Sequence, residues 1–119
     1  MARGLAWLAL LAAVLAACAG EGPPVPSGVT AACTLGGVDV RWSYGSTAGM
    51  DCFLIQRSEG GNYNFVDFAK VPPERLYFRD DRVFVGVWYY YRVAAVYAEW
   101  NGERGVRSEF SVEAGCQVE

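Results

Sequence analysis

The residues best placed to do chemistry are four cysteines: Cys18, Cys33, Cys52 and Cys116. A thiol can be acylated, oxidised to a disulfide or ionised into a nucleophile. The last use finds no partners here. The chain contains no histidine, which removes Cys-His and Ser-His-Asp catalysis in their usual form and the commonest metal ligand. It has no Cys-x-x-Cys, no phosphate-binding glycine loop and no cluster of metal ligands. A non-catalytic protein without metal or cofactor is the expectation. Aromatic residues are the other candidates. Trp88, Tyr90 and Arg92 recur at every second position. Two rings beside a guanidinium make a platform for sugar rings or for a partner's side chains. The alternative is plain cross-strand packing, with Arg92 lying over Tyr90. Trp100 stands beside Asn101-Gly102. It either folds back over the domain or touches a partner or the lipid interface.

The element that would carry the platform is 86–96. Tyr89, Tyr91, Val93 and Ala95 fall on one side; Trp88, Tyr90, Arg92, Ala94 and Val96 fall on the other. This period of two, rich in aromatic and β-branched types, predicts a strand near the centre of an antiparallel sheet. Further strands are expected at 27–33, 38–42 (Val38, Val40 and Trp42 inward), 52–57 (Phe53 and Ile55 inward), 63–68, 76–79 and 106–112. Leu54 and Gln56 are expected beside the platform. Turn signals separate the strands: Gly36-Gly37, Gly60-Gly61, Pro72-Pro73 and the hairpin dipeptide Asn101-Gly102. Seven short strands at this spacing predict an all-β sandwich.

The first 17 residues stand apart. Arg3 is followed by an apolar run, Leu5 to Val14, shorter than the roughly 20 residues that span a bilayer. The segment reads as a helical, cleaved export signal. Leu15-Ala16-Ala17-Cys18 closes it and resembles the lipobox of bacterial lipoproteins. That resemblance implies that Cys18 becomes the mature N-terminus and is lipidated, and that the protein is held on a membrane of the bacterial cell envelope. Ala19, where the enteric sorting pattern has Asp for inner-membrane retention, leans towards the outer membrane. The other reading is an ordinary secretory peptide cut near Ala17. Removal of residues 1–17 from the 119 leaves 102, with nine basic against thirteen acidic side chains, or −4. This mild, dispersed charge argues against nucleic acid as a partner. Residues 18–26, with Gly20, Gly22 and three prolines, read as the lipidated cysteine and a flexible tether of about 25 Å. The folded domain is expected over 27–116.

Taken in order, 24–115 resembles a fibronectin type III domain. The residues are the proline-led start before Val29, Val40-Arg41-Trp42-Ser43, Phe53-Leu54-Ile55-Gln56-Arg57, and Phe78-Arg79-Asp80 with Val83, Gly86, Tyr89, Tyr91-Arg92-Val93 and Ala95. Ser108-Glu109-Phe110-Ser111 closes the series. The resemblance implies a seven-stranded, immunoglobulin-like antiparallel sandwich. Trp42 would be its buried indole, and Tyr89 a corner tyrosine bonded to backbone between Val83 and Gly86. Asp80 becomes the family's crossover aspartate, with Asp81 a solvated neighbour rather than part of a calcium loop. Val85, Phe53 and the cysteines depart from the pattern. In that topology Cys33 and Cys116 end at the same pole, far from the tether, and are the expected disulfide; Cys52 opens its strand at the other pole. The functional expectation is a lipid-anchored envelope protein whose single domain binds a protein or a glycan. The alternative is a structural spacer or accessory subunit of an envelope complex, with no ligand of its own.

Overall fold

The computed structural model describes residues 22–119. Residues 1–21, and with them the leader and the lipidation site Cys18, lie outside the described residues. The described chain forms eight strands: β1 (Ser27–Thr34), β2 (Gly37–Ser43), β3 (Met50–Glu59), β4 (Val66–Val71), β5 (Tyr77–Asp80), β6 (Trp88–Trp100), β7 (Glu103–Arg107) and β8 (Ala114–Gln117). They make two antiparallel sheets. One has the order β1-β2-β5; the other has the order β4-β3-β6-β7, with β8 also on β6.

The core follows from the alternation. Tyr89, Tyr91, Val93 and Ala95 of β6 are fully buried, as are Val38 and Val40 of β2 and Phe53 and Ile55 of β3. Trp42 meets Phe53 edge-on, with ring centroids 5.3 Å apart. Its Nε1–H is buried without a hydrogen-bond partner among the described residues. That omission costs about 1–3 kcal/mol, against about 3–5 kcal/mol lost when a buried aromatic is truncated. The packing of the indole outweighs its unmade bond.

Among the boundaries that differ from the expected ones, β6 runs on to Trp100, and four others are set by local contacts. The strand expected at 63–68 begins only at Val66. Ser58 is responsible: its hydroxyl donates to the Gly61 carbonyl and accepts from the Asn64 amide, so 61–64 is bent into a turn before pairing starts. The strand expected at 106–112 is found only at its first two residues: β7 ends at Arg107, 108–113 is irregular, and β8 begins at Ala114. β7 pairs with Val96–Trp100 and β8 with Trp88–Tyr91 of the same strand. At the start, 23–26 is not a free tether. Pro23 and Pro26 are buried, and the Tyr44 hydroxyl donates to the Pro24 carbonyl at 2.9 Å. At the other end Val118 is buried and bonded to the backbone of Gly86 and Val87, so the fold runs past Cys116.

Cys33 and Cys116 form a disulfide. It joins β1 of one sheet to β8 of the other. Here the pairing expected from the topology is the pairing observed.

Candidate interaction surfaces

Two buried devices hold β6 in place. Tyr89 is fully buried, and its hydroxyl accepts the Phe84 amide at 2.8 Å, which clamps the crossover from β5 to β6. Beside it lies Asp80, also buried. Its Oδ2 accepts from the Tyr91 hydroxyl at 2.6 Å and from Arg57 at 2.9 Å, and its Oδ1 accepts the Arg82 amide at 2.9 Å. Burial, then the Asp80 bond, pushes the Tyr91 phenol far above its ordinary pKa. Arg57 packs its guanidinium over Phe68 at 4.0 Å and Tyr89 at 4.9 Å. Asp80 therefore ties the first sheet to the second. Its oxygens are committed to protein donors, and no cluster of three or more metal-ligating side chains occurs among the described residues.

The outward side of β6 is graded along its length. At its start Trp88 is 42% exposed and stacks on Tyr90, with centroids 5.7 Å apart and planes 14° from parallel. Tyr90 lies flat because Gly115 is its paired residue on β8. A Cβ at Gly115 would fall 2.4 Å from the ring, well inside van der Waals contact. Arg92 does not join this pair, nor does it lie over Tyr90. Its guanidinium sits 4.3 Å from the Phe65 ring and 4.6 Å from the Phe110 ring. Its Nε donates to Gln56 at 2.8 Å, and Gln56 in turn donates to Asp67 at 2.9 Å. Arg107 also packs its guanidinium over the Phe110 ring, at 4.4 Å. A run of alternating rings and guanidiniums thus roofs the middle of the face. Sequence reasoning missed Phe65 and Phe110 as partners of Arg92, because both come from irregular segments whose side-chain direction no periodicity reveals.

The break between β7 and β8 is built around two serines. The Ser108 amide donates to the Ala95 carbonyl while its Oγ accepts the Ala95 amide. Ser111 does the same with Val93. Each serine satisfies both backbone groups of its β6 partner, using a hydroxyl where a strand would use a carbonyl. The chain can leave the sheet between them and carry Phe110 outwards without leaving buried amides unpaired.

The remaining candidates are separated from this face. Trp100 ends β6 half-buried, edge-on to Tyr97 with centroids 4.8 Å apart. It is the fold-back arrangement. Cys52 is a buried free thiol at that same pole, its pKa raised by burial and by Asp51, with Lys70 opposing. Trp88–Tyr90 is therefore the part of the expected platform that the structure leaves together, with Trp88 exposed and Tyr90 half-buried.

The two sheets and the crossover tyrosine define the fold of fibronectin type III domains. Solved structures with that fold align over most of the described chain. An Fn3-like protein from Clostridium thermocellum is 25% identical, with a TM-score of 0.65, over 82% of this chain and 95% of that one. The fibronectin type-III domain of human fibronectin type III domain containing protein 3 is 17% identical, with a TM-score of 0.62, over 83% of this chain and 88% of the other. A β-1,2-glucanase from Parabacteroides distasonis aligns at 22% identity and TM-score 0.64, over 82% of this chain but only 12% of the enzyme. No protein-family model matches the sequence, and no curated protein matches it.

Proposed function

We propose that the chain is a lipid-anchored protein of a bacterial cell envelope whose fibronectin type III-like domain, 27–116 with its packed flanks, binds a protein or glycan and performs no catalysis. The observation that carries the reading is the Trp88–Tyr90 stack, a pair of near-parallel rings on a sheet, with Trp88 exposed and Tyr90 half-buried. Such pairs offer large contact area with few rotatable bonds to order. The anchor rests on Leu15-Ala16-Ala17-Cys18 directly after the apolar run. Because Pro23 packs on the domain, only residues 19–22 separate it from Cys18, a reach of roughly 16 Å. The loop after β2 and the β6–β7 turn would then face the membrane, and Trp88 and Tyr90 would lie towards the outer pole.

Two measurements test this. Glycan-array and pull-down binding by the full chain is expected to fall at least tenfold in the Trp88→Ala, Tyr90→Ala double variant; binding that survives both substitutions refutes the assigned face. Mass spectrometry of the mature N-terminus is expected to find Cys18 acylated, and Cys18→Ala is expected to leave the membrane fraction. A protein cut elsewhere and still membrane-bound overturns the anchor.

A further inference from the structure

Ten large apolar side chains stand exposed among the described residues, and they are not evenly spread. Leu35, Phe84 and Val85 are 100%, 72% and 75% exposed, and all three lie at the pole opposite the N-terminal segment. Leu35 tips the β1–β2 turn; Phe84 and Val85 tip the β5–β6 crossover. Val118 connects the two tips. It lines one cavity with Leu35 and bonds to the backbone of Gly86 and Val87.

Leu35 is also strained. Its φ is +45°, in the left-handed region that favours Gly, Asn or Asp and that leucine rarely occupies. A fully exposed leucine gains nothing from burial to offset that strain. The turn is nonetheless rigid. Arg79 donates to the carbonyls of Thr34 and Leu35 at 2.9 and 3.2 Å and to Asp39 at 2.9 Å, and the Cys33 disulfide lies two residues away. The second tip is equally fixed: the Phe84 amide is bonded to Tyr89 and the Gly86 amide to Val118. A strained, exposed leucine and two exposed apolar neighbours, all on a backbone held by hydrogen bonds, are what a preorganised binding tip requires.

The surrounding charge indicates what would cover it. Asp39, Glu59, Asp80, Asp81 and Glu119 stand at this pole against Arg57, Arg79 and Arg82. Arg57 is shared between Glu59 and Asp80, and Arg79 between Asp39 and Asp81, so these groups keep a net acidic excess. An acidic rim repels an anionic lipid surface and a second copy of itself. It complements a basic one. We infer that this pole docks into an apolar pocket rimmed by lysine or arginine on another protein. The surface is distinct from the Trp88–Tyr90 face, and the inference does not depend on that assignment.

The test uses the full chain as the cell produces it, held in amphipol. A random cyclic-peptide phage library is selected on it, with counter-selection on the Leu35→Asn, Phe84→Ser double variant. Enriched peptides are expected to combine aliphatic or aromatic residues with Lys and Arg. A synthetic consensus peptide is expected to bind each single variant at least tenfold more weakly, and to bind less tightly as salt is raised. Leu35→Asn separates recognition from folding, since asparagine suits the left-handed φ and leaves the urea midpoint unchanged or higher. Failure to enrich, or enrichment of acidic peptides, overturns the inference. So does binding lost in Trp88→Ala, Tyr90→Ala but kept in Leu35→Asn, which would instead support the ring-pair face. Leu35-dependent capture of anionic phospholipid nanodiscs, or Leu35-dependent dimerisation in sedimentation, would also overturn it in favour of lipid or a second copy.

Discussion

Removing the Cys33–Cys116 disulfide should bring the domain close to unfolding. The two cysteines are 83 positions apart, so the bond closes a loop of 84 residues in the unfolded chain. The chain-entropy relation gives about 4.5 kcal/mol for a loop of that length, a large share of the 5–15 kcal/mol typical of a small domain. The location adds to the effect. The bond fastens β8, four residues long, to β1 of the opposite sheet. Without it, the packing of Val118 and the bonds from 118 to Gly86 and Val87 depend on that short strand alone. The comparison is urea denaturation followed by tryptophan fluorescence, for Cys33→Ser, Cys116→Ser against the intact bond. Both proteins carry Cys52→Ser so that no third domain thiol can pair. At about 1–3 kcal/mol per molar urea, the midpoint should fall by about 1.5–4.5 M. A loss below about 1 kcal/mol would show that the loop is not what the disulfide restrains, and the reasoning would fail.

Four further outcomes are expected. Ser108→Ala or Ser111→Ala should each cost about 1–3 kcal/mol, because each strands a buried β6 amide; amide hydrogen exchange should quicken at Ala95 in the first and at Val93 in the second. Tyr89→Phe keeps the ring and loses the bond to Phe84, and should cost about 0.5–1.5 kcal/mol in the same urea assay. Cys52 should resist iodoacetamide in the native protein and react once it is unfolded, since burial both covers the thiol and raises its pKa. The Arg79 hydrogen bond holds the Asp39 carboxyl below its usual pKa. A depressed folded-state value means stability that is present above the unfolded pKa, near 4, and is lost as pH falls through the folded one. The urea-midpoint gap between Asp39→Ala and wild type should therefore be open at pH 6 and narrow towards pH 2.

Some of the molecule was legible in the sequence because it follows from periods and pairs. The alternation of 86–96 names the buried side of β6 residue by residue, since side chains on a strand must alternate whatever surrounds them. The similarity to fibronectin type III domains placed Tyr89 at the crossover and Cys33 and Cys116 at one pole. What stayed hidden lay where side chains replace backbone. Ser58 turns 61–64 away from the sheet, and Ser108 and Ser111 hold the chain against β6 without a ladder. Neither event leaves a period in the sequence. Arg92 was misjudged for a related reason: the rings that sandwich it, Phe65 and Phe110, sit 27 and 18 residues away in irregular segments.

The amino-acid sequence alone determines the sandwich, its apolar interior and the absence of histidine chemistry, because these depend on residue type and on a backbone period that acts locally. Only the tertiary structure decides which aromatic rings remain open, that Asp80 is consumed by Arg57 and Tyr91, and that Leu35, Phe84 and Val85 share a pole. Those outcomes depend on how distant segments cover or expose a side chain, and a local pattern carries no information about what will pack above it.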